Sequence, residues 1–203
     1  DDTNENILYI GTDYGVYVSL NGGTTWMRWS NGIPNVAVHD MVIQEREKEL
    51  VVGTHGRSIF IADLSWIKQL NEKTLNSALK IFTNSKSRLP RNLGKNSTYY
   101  TKRETPTLDI GYYSKLAGPV KIELLDSLGK MVLQTMTDTA EIGLNIFKYD
   151  YSIQKPIDTK SKNANPIVKP AEDGKYYLSK GKYILRITQG AAKEEKVIEF
   201  TER

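Results

Sequence analysis

The chain has 203 residues, enough for one large domain or two small ones. Its hydrophobic fraction of 39% and formal net charge of +4 fit a globular protein, and no apolar run is long enough to span a bilayer. The chain has no cysteine, which excludes disulfides and thiolate chemistry, and it carries no nucleic-acid-binding motif. It begins with Asp1 rather than Met, so we expect it to be part of a longer protein.

The first 63 residues contain one strand pattern twice. Residues 8–12 (LYIGT) recur as residues 50–54 (LVVGT), and residues 16–19 (VYVS) recur as residues 59–62 (IFIA). A repeat of about 40–45 residues with several short strands per copy is typical of propeller blades. We predict six strands here, at residues 7–12, 16–20, 25–29, 38–44, 49–54 and 58–62.

The best-marked segment lies between the second and third strands. Residues 19–26 (SLNGGTTW) have Gly22 and Gly23, which adopt the positive φ values of a tight turn. The Ser19 hydroxyl and the Asn21 amide can bond the backbone of the same turn, and Trp26 can bury its ring over it. We therefore predict a hairpin that is closed by its own side chains.

This octapeptide resembles the Asp-box of the bacterial neuraminidase repeat (BNR) family, with Asn21 where Asp is usual. The resemblance implies a structural role for five residues at the rim of a blade: Ser19, Asn21, Gly23, Thr25 and Trp26. Residues 50–63 resemble the closing blade of sortilin-like and xyloglucanase-like propellers, with Ser58 where Gly is usual.

The resemblance implies about one and a half blades of a propeller, whereas closure takes about four to eight. The missing blades are then expected upstream in the parent chain. Open sheet edges pair readily with other strands, so the isolated chain should oligomerise or pair its edge strands with a neighbour.

Residues 64–106 are predicted to connect two domains. Asp63 is placed to cap a short helix over residues 64–70, residues 74–79 form a second helix candidate, and residues 81–82 an edge strand. Residues 83–104 hold six basic side chains against one acidic side chain. We interpret this basic stretch as a solvated linker, although acidic polysaccharides, lipid head groups or nucleic acid would also suit its charge.

Residues 107–203 show the alternation of half-buried strands. Strands are predicted near residues 107–113, 120–125, 131–136, 143–150, 183–188 and 196–200, and this spacing favours a β-sandwich. The segments 125–132, 143–145 and 181–187 are similar to the Ig-like or fibronectin-like module that ends many exported bacterial proteins. Residues 154–180, with three prolines and many charges, are predicted to be an inserted loop.

Residues with catalytic chemistry are sparse. Neither a metal-ligand spacing nor a phosphate-binding loop occurs, so we predict no metal and no cofactor. Glycoside hydrolysis needs two carboxylates, and the propeller part offers Asp13, Asp40 and Asp63. Residues 38–43 resemble the innermost strand that opens such a blade, so the resemblance implies that Asp40 can face a central channel, and Asp40 is the catalytic candidate. In xyloglucanase-like relatives the acidic pair lies in earlier blades.

Binding candidates come from turns and irregular segments. His55 and Arg57 lie in one predicted turn, where His55 either lines a surface groove or caps the turn. His39 lies beside Asp40 on a strand, so the two side chains should point to opposite faces. The pairs Tyr176–Tyr177 and Tyr99–Tyr100 are candidates for stacking on sugars if they are exposed.

Three functions remain open from the sequence. The first is a non-catalytic piece of an exported BNR-type propeller protein that acts as a scaffold and binds a polysaccharide or a protein. The second is an accessory part of a glycoside hydrolase, and the third is a secretion or surface-anchoring module. All three place the protein outside the cell, in the periplasm or at the cell surface.

Overall fold

The computed structural model describes residues 1–29, 32–95, 105–154 and 169–202. The chain divides into two units, Asp1–Leu75 (unit 1) and Asn76–Arg203 (unit 2). Both are built mainly from strands with almost no helix, which confirms the all-β prediction.

Unit 1 contains two antiparallel sheets of three strands each. Sheet 1 has the order β1 (Leu8–Thr12), β2 (Gly15–Ser19), β3 (Met27–Arg28). Sheet 2 has the order β4 (Val38–Gln44), β5 (Glu49–Thr54), β6 (Ile59–Asp63). Five of the strands lie within one residue of their predicted bounds, whereas β3 is shorter than predicted.

The two sheets of unit 1 share one core. Val16 of sheet 1 and Leu50 and Val52 of sheet 2 are buried in the same cluster, against which Tyr9 also packs. The sheets approach closely at Gly11, where an added Cβ would lie 2.6 Å from Val38 Cγ1. Since alternate residues of a strand face opposite sides, each sheet has one face in this core and one face turned away from it.

Two short helices follow β6: a 3-10 helix at Ile67–Gln69 and α1 at Glu72–Asn76. Leu64, Ile67 and Leu70 are buried. The predicted helix cap at Asp63 is wrong: Asp63 ends β6, and its Oδ1 accepts the Ser65 amide (2.7 Å), which closes a turn before the helix. The second helix lies earlier than predicted, since a strand begins at Leu79.

Unit 2 contains a five-stranded sheet, a three-stranded sheet and a two-stranded ribbon. Their orders are β11-β10-β15-β16-β8, β12-β9-β7 and β13-β14. The bounds are β7 (Leu79–Ile81), β8 (Lys86–Arg88), β9 (Leu108–Ser114), β10 (Gly118–Leu125), β11 (Val132–Ala140), β12 (Gly143–Tyr149), β13 (Ser152–Ile153), β14 (Tyr176–Tyr177), β15 (Gly181–Gln189) and β16 (Ala192–Thr201).

The core of unit 2 draws on both of its larger sheets. Ile110 and Tyr112 from the three-stranded sheet are buried in one cluster with Ile122, Leu185 and Phe200 from the five-stranded sheet. A turn at residues 126–130 joins β10 to β11, and Asp126 closes it because its Oδ1 accepts the amides of Lys130 (2.7 Å) and Met131 (3.1 Å). The six strands predicted in residues 107–203 correspond to β9 to β12, β15 and β16, although β11 and β16 are longer than predicted and the short strands β13 and β14 were not predicted.

The basic stretch is not simply a linker in its described part. Strand β8 lies parallel to β16 at the edge of the five-stranded sheet, with Lys86 opposite Glu199. Leu89 and Leu93 pack against the core of unit 2. Local pattern missed this strand because Lys86-Ser87-Arg88 carries no apolar residue, and charged side chains are common on edge strands. Residues 96–104 lie outside the described residues.

The predicted inserted loop at 154–180 is described only at its ends, and residues 155–168 lie outside the described residues. The C-terminal end of this segment is part of the folded structure of unit 2. Strand β14 pairs with β13, and Leu178 donates its amide to the Tyr151 carbonyl (3.0 Å).

Candidate functional site

The Ser19–Trp26 turn is closed by its own side chains. The Ser19 hydroxyl is buried and accepts the Gly23 amide (2.8 Å), while Asn21 Oδ1 accepts the Thr25 amide (2.9 Å) and the Ser19 hydroxyl (3.0 Å). Asn21 Nδ2 donates to Thr25 Oγ1 (2.9 Å). The predicted self-bonded turn is therefore present.

Trp26 departs in part from its prediction. Its ring lies over Gly23, where an added Cβ would be 3.7 Å from Trp26 Cζ2. The residue nevertheless remains 38% exposed. The Trp26 ring therefore packs against the turn but remains partly exposed.

The two histidines of the chain lie together on the surface of sheet 2. Their rings stack with centroids 4.9 Å apart and planes inclined by 19°, and both residues are exposed. The His55 amide donates to the Ala37 carbonyl (2.9 Å), which fixes the end of β5 beside the start of β4. Their arrangement presents imidazole edges and faces to solvent.

Sequence reasoning missed this pair because it treated β4 as a regular strand. A bulge between Val38 and Asp40 leaves His39 as the extra residue, so strict alternation does not hold there. The sequence nevertheless indicates that His39 and His55 lie close together. An antiparallel hairpin that turns at residues 45–48 places the start of β4 beside the end of β5.

Arg57 is exposed in the turn that carries His55. The Thr54 hydroxyl and amide both donate to the Ser58 carbonyl (2.6 and 3.3 Å), and Gly56 has a φ of 73°. Ser58 has a φ of 111°, a value that glycine adopts easily and other residues rarely do. This strain coincides with the position at which the resembling blades carry glycine.

Asp40, the catalytic candidate, is exposed on sheet 2. Its Oδ1 accepts the amide of Met41 (2.8 Å). Asp13 lies in the turn between β1 and β2, and Asp63 bonds the Ser65 amide. In the described ranges, no cluster of three or more His, Asp or Glu side chains is arranged to hold a metal ion.

The tyrosine pair of β14 is not an exposed platform. Tyr177 is 5% exposed and donates its hydroxyl to Asp173 Oδ2 (2.6 Å), while Tyr176 is half-buried. Burial first, and then the bond to Asp173, raises the pKa of Tyr177. The same bond is the main cause of the lowered pKa of Asp173. Tyr177 is thus a core residue, which overturns its place among the binding candidates; Tyr99 and Tyr100 lie outside the described residues.

Unit 2 carries an open cleft of about 560 Å³ near the end of β16. Leu89, Leu93 and Leu178 line it, and Lys180 and Glu202 form an ion pair among its lining residues (3.3 Å). Arg91 adds a positive charge to the lining. The cleft is therefore largely apolar with a small positive balance.

The helices in the described part of the chain are too short to cross a bilayer. Comparison with family models, with curated proteins and with solved structures gives no match.

Proposed function

We propose that this chain is a non-catalytic segment of an exported BNR-type propeller protein, in which unit 1 is a sector of the propeller and unit 2 is an Ig-like β-sandwich. The observation that carries the proposal is the hairpin closed by Ser19 and Asn21 inside a repeat of paired strands. Two sheets that repeat one strand pattern and pack face to face support the sector. The upstream blades of the parent chain are the structural partners that this proposal requires.

Binding is assigned to the surface formed by His39, His55 and Arg57. Two stacked imidazoles and a guanidinium present planar groups and hydrogen-bond donors to solvent, which suits the faces and hydroxyls of a polysaccharide. A protein ligand with exposed carboxylates would suit the same groups. Among the described tyrosine candidates of unit 2, Tyr177 is buried and Tyr176 is half-buried, so neither presents a fully open ring.

The test measures the binding of the chain to xyloglucan and other β-glucans by affinity electrophoresis and calorimetry. The variant His55→Ala should weaken binding at least about fivefold, which corresponds to about 1 kcal/mol. Tyr14→Ala is the matched control, because Tyr14 is 69% exposed in the equivalent turn of sheet 1. Equal losses in the two variants, or no binding by the wild type, would contradict the glycan-binding role.

Incubation of the chain with the same polysaccharides distinguishes the scaffold function from the hydrolase alternative. The proposed segment releases no reducing sugar from any of these polysaccharides. Release that disappears in Asp40→Asn would show that this part of the chain is catalytic and would overturn the proposal. Deletion of residues 107–203 from the parent would test the secretion alternative, since loss of export would assign that role to unit 2.

A further inference from the structure

We propose that the outward face of sheet 2 is a docking surface for sheet 1 of a second copy of this chain, so that the chains associate head to tail. The docking face is defined by Val42, Val51, Gly53, Ile59 and Ile61. The inference concerns the chain on its own, without the upstream blades that the proposed parent would supply. It rests on the geometry of the repeat and stands whether or not the chain binds a glycan.

The docking face is apolar and exposed. Val42 is 58% exposed, Ile59 is 69% exposed and Ile61 is 64% exposed. The register places Val42, Val51 and Ile61 in one row across the three strands, and Gly53 beside Ile59 in the adjacent row. A contiguous apolar row across a whole sheet is a feature of interaction surfaces rather than of free ones.

The repeat shows what covers such a face. Its offset makes Val51, Gly53, Ile59 and Ile61 equivalent to Tyr9, Gly11, Val16 and Val18 of sheet 1. In sheet 1 this face is covered: Val16 and Val18 are buried, and Tyr9 and Val16 belong to the core shared with sheet 2. The docking face of sheet 2 therefore presents the positions that sheet 1 buries against a neighbouring sheet.

The glycines of the repeat give a second, independent observation. Gly11 and Gly53 both have ordinary negative φ values, so neither needs to be glycine for its backbone conformation. At Gly11 an added Cβ would meet Val38 of the neighbouring sheet at 2.6 Å. At Gly53 the nearest atoms belong to Asp40 in the same sheet, at 3.6 Å or more. A glycine at position 53 is thus explained if another sheet packs closely against Gly53, in the way that sheet 2 packs closely against Gly11 of sheet 1.

The matching surface is the outward face of sheet 1. This face carries Leu8, Ile10 and Tyr17. The repeat makes these residues equivalent to Leu50, Val52 and Phe60, with which sheet 2 packs against sheet 1. Ile10 is 45% exposed on this face.

The charges beside the two faces are complementary. Arg28 pairs with Tyr17 and is exposed beside the face of sheet 1. Asp40 and Asp63 are exposed beside the docking face of sheet 2. A second copy therefore meets the docking face with apolar side chains and opposite charge. Because the two faces differ, the contact is heterologous, and each chain offers one of each.

The test measures the mass of the full chain by analytical ultracentrifugation from about 1 to about 500 µM. The wild type should gain mass with concentration. Ile61→Glu on the docking face and Ile10→Glu on the face of sheet 1 should each weaken this association at least about tenfold. Gly53→Ala repeats the test without adding charge, at a position where an added Cβ lies 3.6 Å or more from its nearest neighbours in the isolated sheet.

A mixture makes the test specific to a heterologous contact. Ile10→Glu keeps its docking face and Ile61→Glu keeps its sheet 1 face, so the two monomeric variants should form a one-to-one dimer when mixed. Val197→Glu, at a 53% exposed strand position of unit 2, should associate like the wild type. A wild type that stays monomeric, a mixture that forms no dimer, or equal weakening by Val197→Glu would each overturn the proposal.

Discussion

Replacement of Asn21 by alanine should destabilise unit 1 by a measurable amount. The change removes Oδ1, which accepts the Thr25 amide (2.9 Å) and the Ser19 hydroxyl (3.0 Å), and Nδ2, which donates to Thr25 Oγ1 (2.9 Å). Ser19 is fully buried, so its hydroxyl loses a partner that water cannot readily replace. The Thr25 amide is exposed and recovers part of its loss from water.

The magnitude follows from the number of bonds. A net 0.5–1.5 kcal/mol for each of the three bonds, discounted for the two exposed bonds to Thr25, gives about 1.5 kcal/mol for Asn21→Ala. Asn21→Asp keeps both acceptor bonds and makes them charge-assisted, and the Thr25 hydroxyl can turn to donate. This variant should lie within about 0.5 kcal/mol of the wild type at neutral pH.

The assay is urea unfolding followed by tryptophan fluorescence. All three tryptophans, Trp26, Trp29 and Trp66, lie in unit 1, so the signal reports that unit without a contribution from unit 2. With a slope of about 1 kcal/mol per molar urea for a unit of this size, Asn21→Ala should lower the midpoint by about 1.5 M. Thr24→Ala, which removes one exposed bond to the Asn21 carbonyl (3.0 Å), is the control and should shift it far less.

Two results would refute this reasoning. An unchanged midpoint for Asn21→Ala would mean that the side chain does not close the turn. A loss for Asn21→Asp as large as that for alanine would mean that the turn depends on the asparagine amide nitrogen rather than on the acceptor oxygen, which aspartate keeps.

Three further predictions concern other positions. Gly11→Ala should destabilise unit 1 by about 1–3 kcal/mol, because the added Cβ would meet Val38 of β4. Gly53→Ala should instead be neutral or stabilise unit 1 by up to about 0.5 kcal/mol. The same urea titration measures both variants, and equal effects would contradict the packing of sheet 1 on sheet 2. Ser58→Gly should stabilise unit 1 by about 1 kcal/mol, since relief of strain exceeds the entropic cost of glycine; an earlier melting transition would contradict this. The pKa of Asp173 is lowered mainly by the Tyr177 hydroxyl, so its contribution to stability is complete above the ordinary carboxyl pKa and is lost as the pH falls through the lowered one. Calorimetry should therefore find Asp173→Asn less stable than the wild type at pH 6, with the difference shrinking below about pH 4; a difference that grows on acidification would contradict the sign.

Local pattern in the sequence was sufficient where the structure is local. The repeat at residues 8–12 and 50–54 predicts two hairpins, because alternation and turn residues are set by near neighbours. The turn closed by Ser19 and Asn21 is predicted for the same reason, since its bonds join residues within four positions of each other.

Pairings between distant segments could not be predicted in this way. Strand β8 exists because β16, near the end of the chain, offers it a partner, and its own residues carry no apolar pattern. Tyr177 is buried because β13 and Asp173 surround it, whereas in the sequence it belongs to an irregular charged stretch. The histidine pair depends on a bulge at His39. A one-residue insertion shifts the alternation of a strand, and its mark here is only the three-residue spacing of the core-facing Val38 and Met41, which is too short a pattern to identify a bulge.

Sheets 1 and 2 repeat one strand pattern and pack with the face of Gly11 against the face of Val38. Nuclear Overhauser effects in a methyl-labelled sample test this contact directly. We expect cross-peaks between the Gly11 α-protons and the Val38 methyl groups, since an added Cβ on Gly11 would lie 2.6 Å from Val38 Cγ1. Cross-peaks from Gly11 to Val42, which would place the opposite face of sheet 2 against sheet 1, would contradict it.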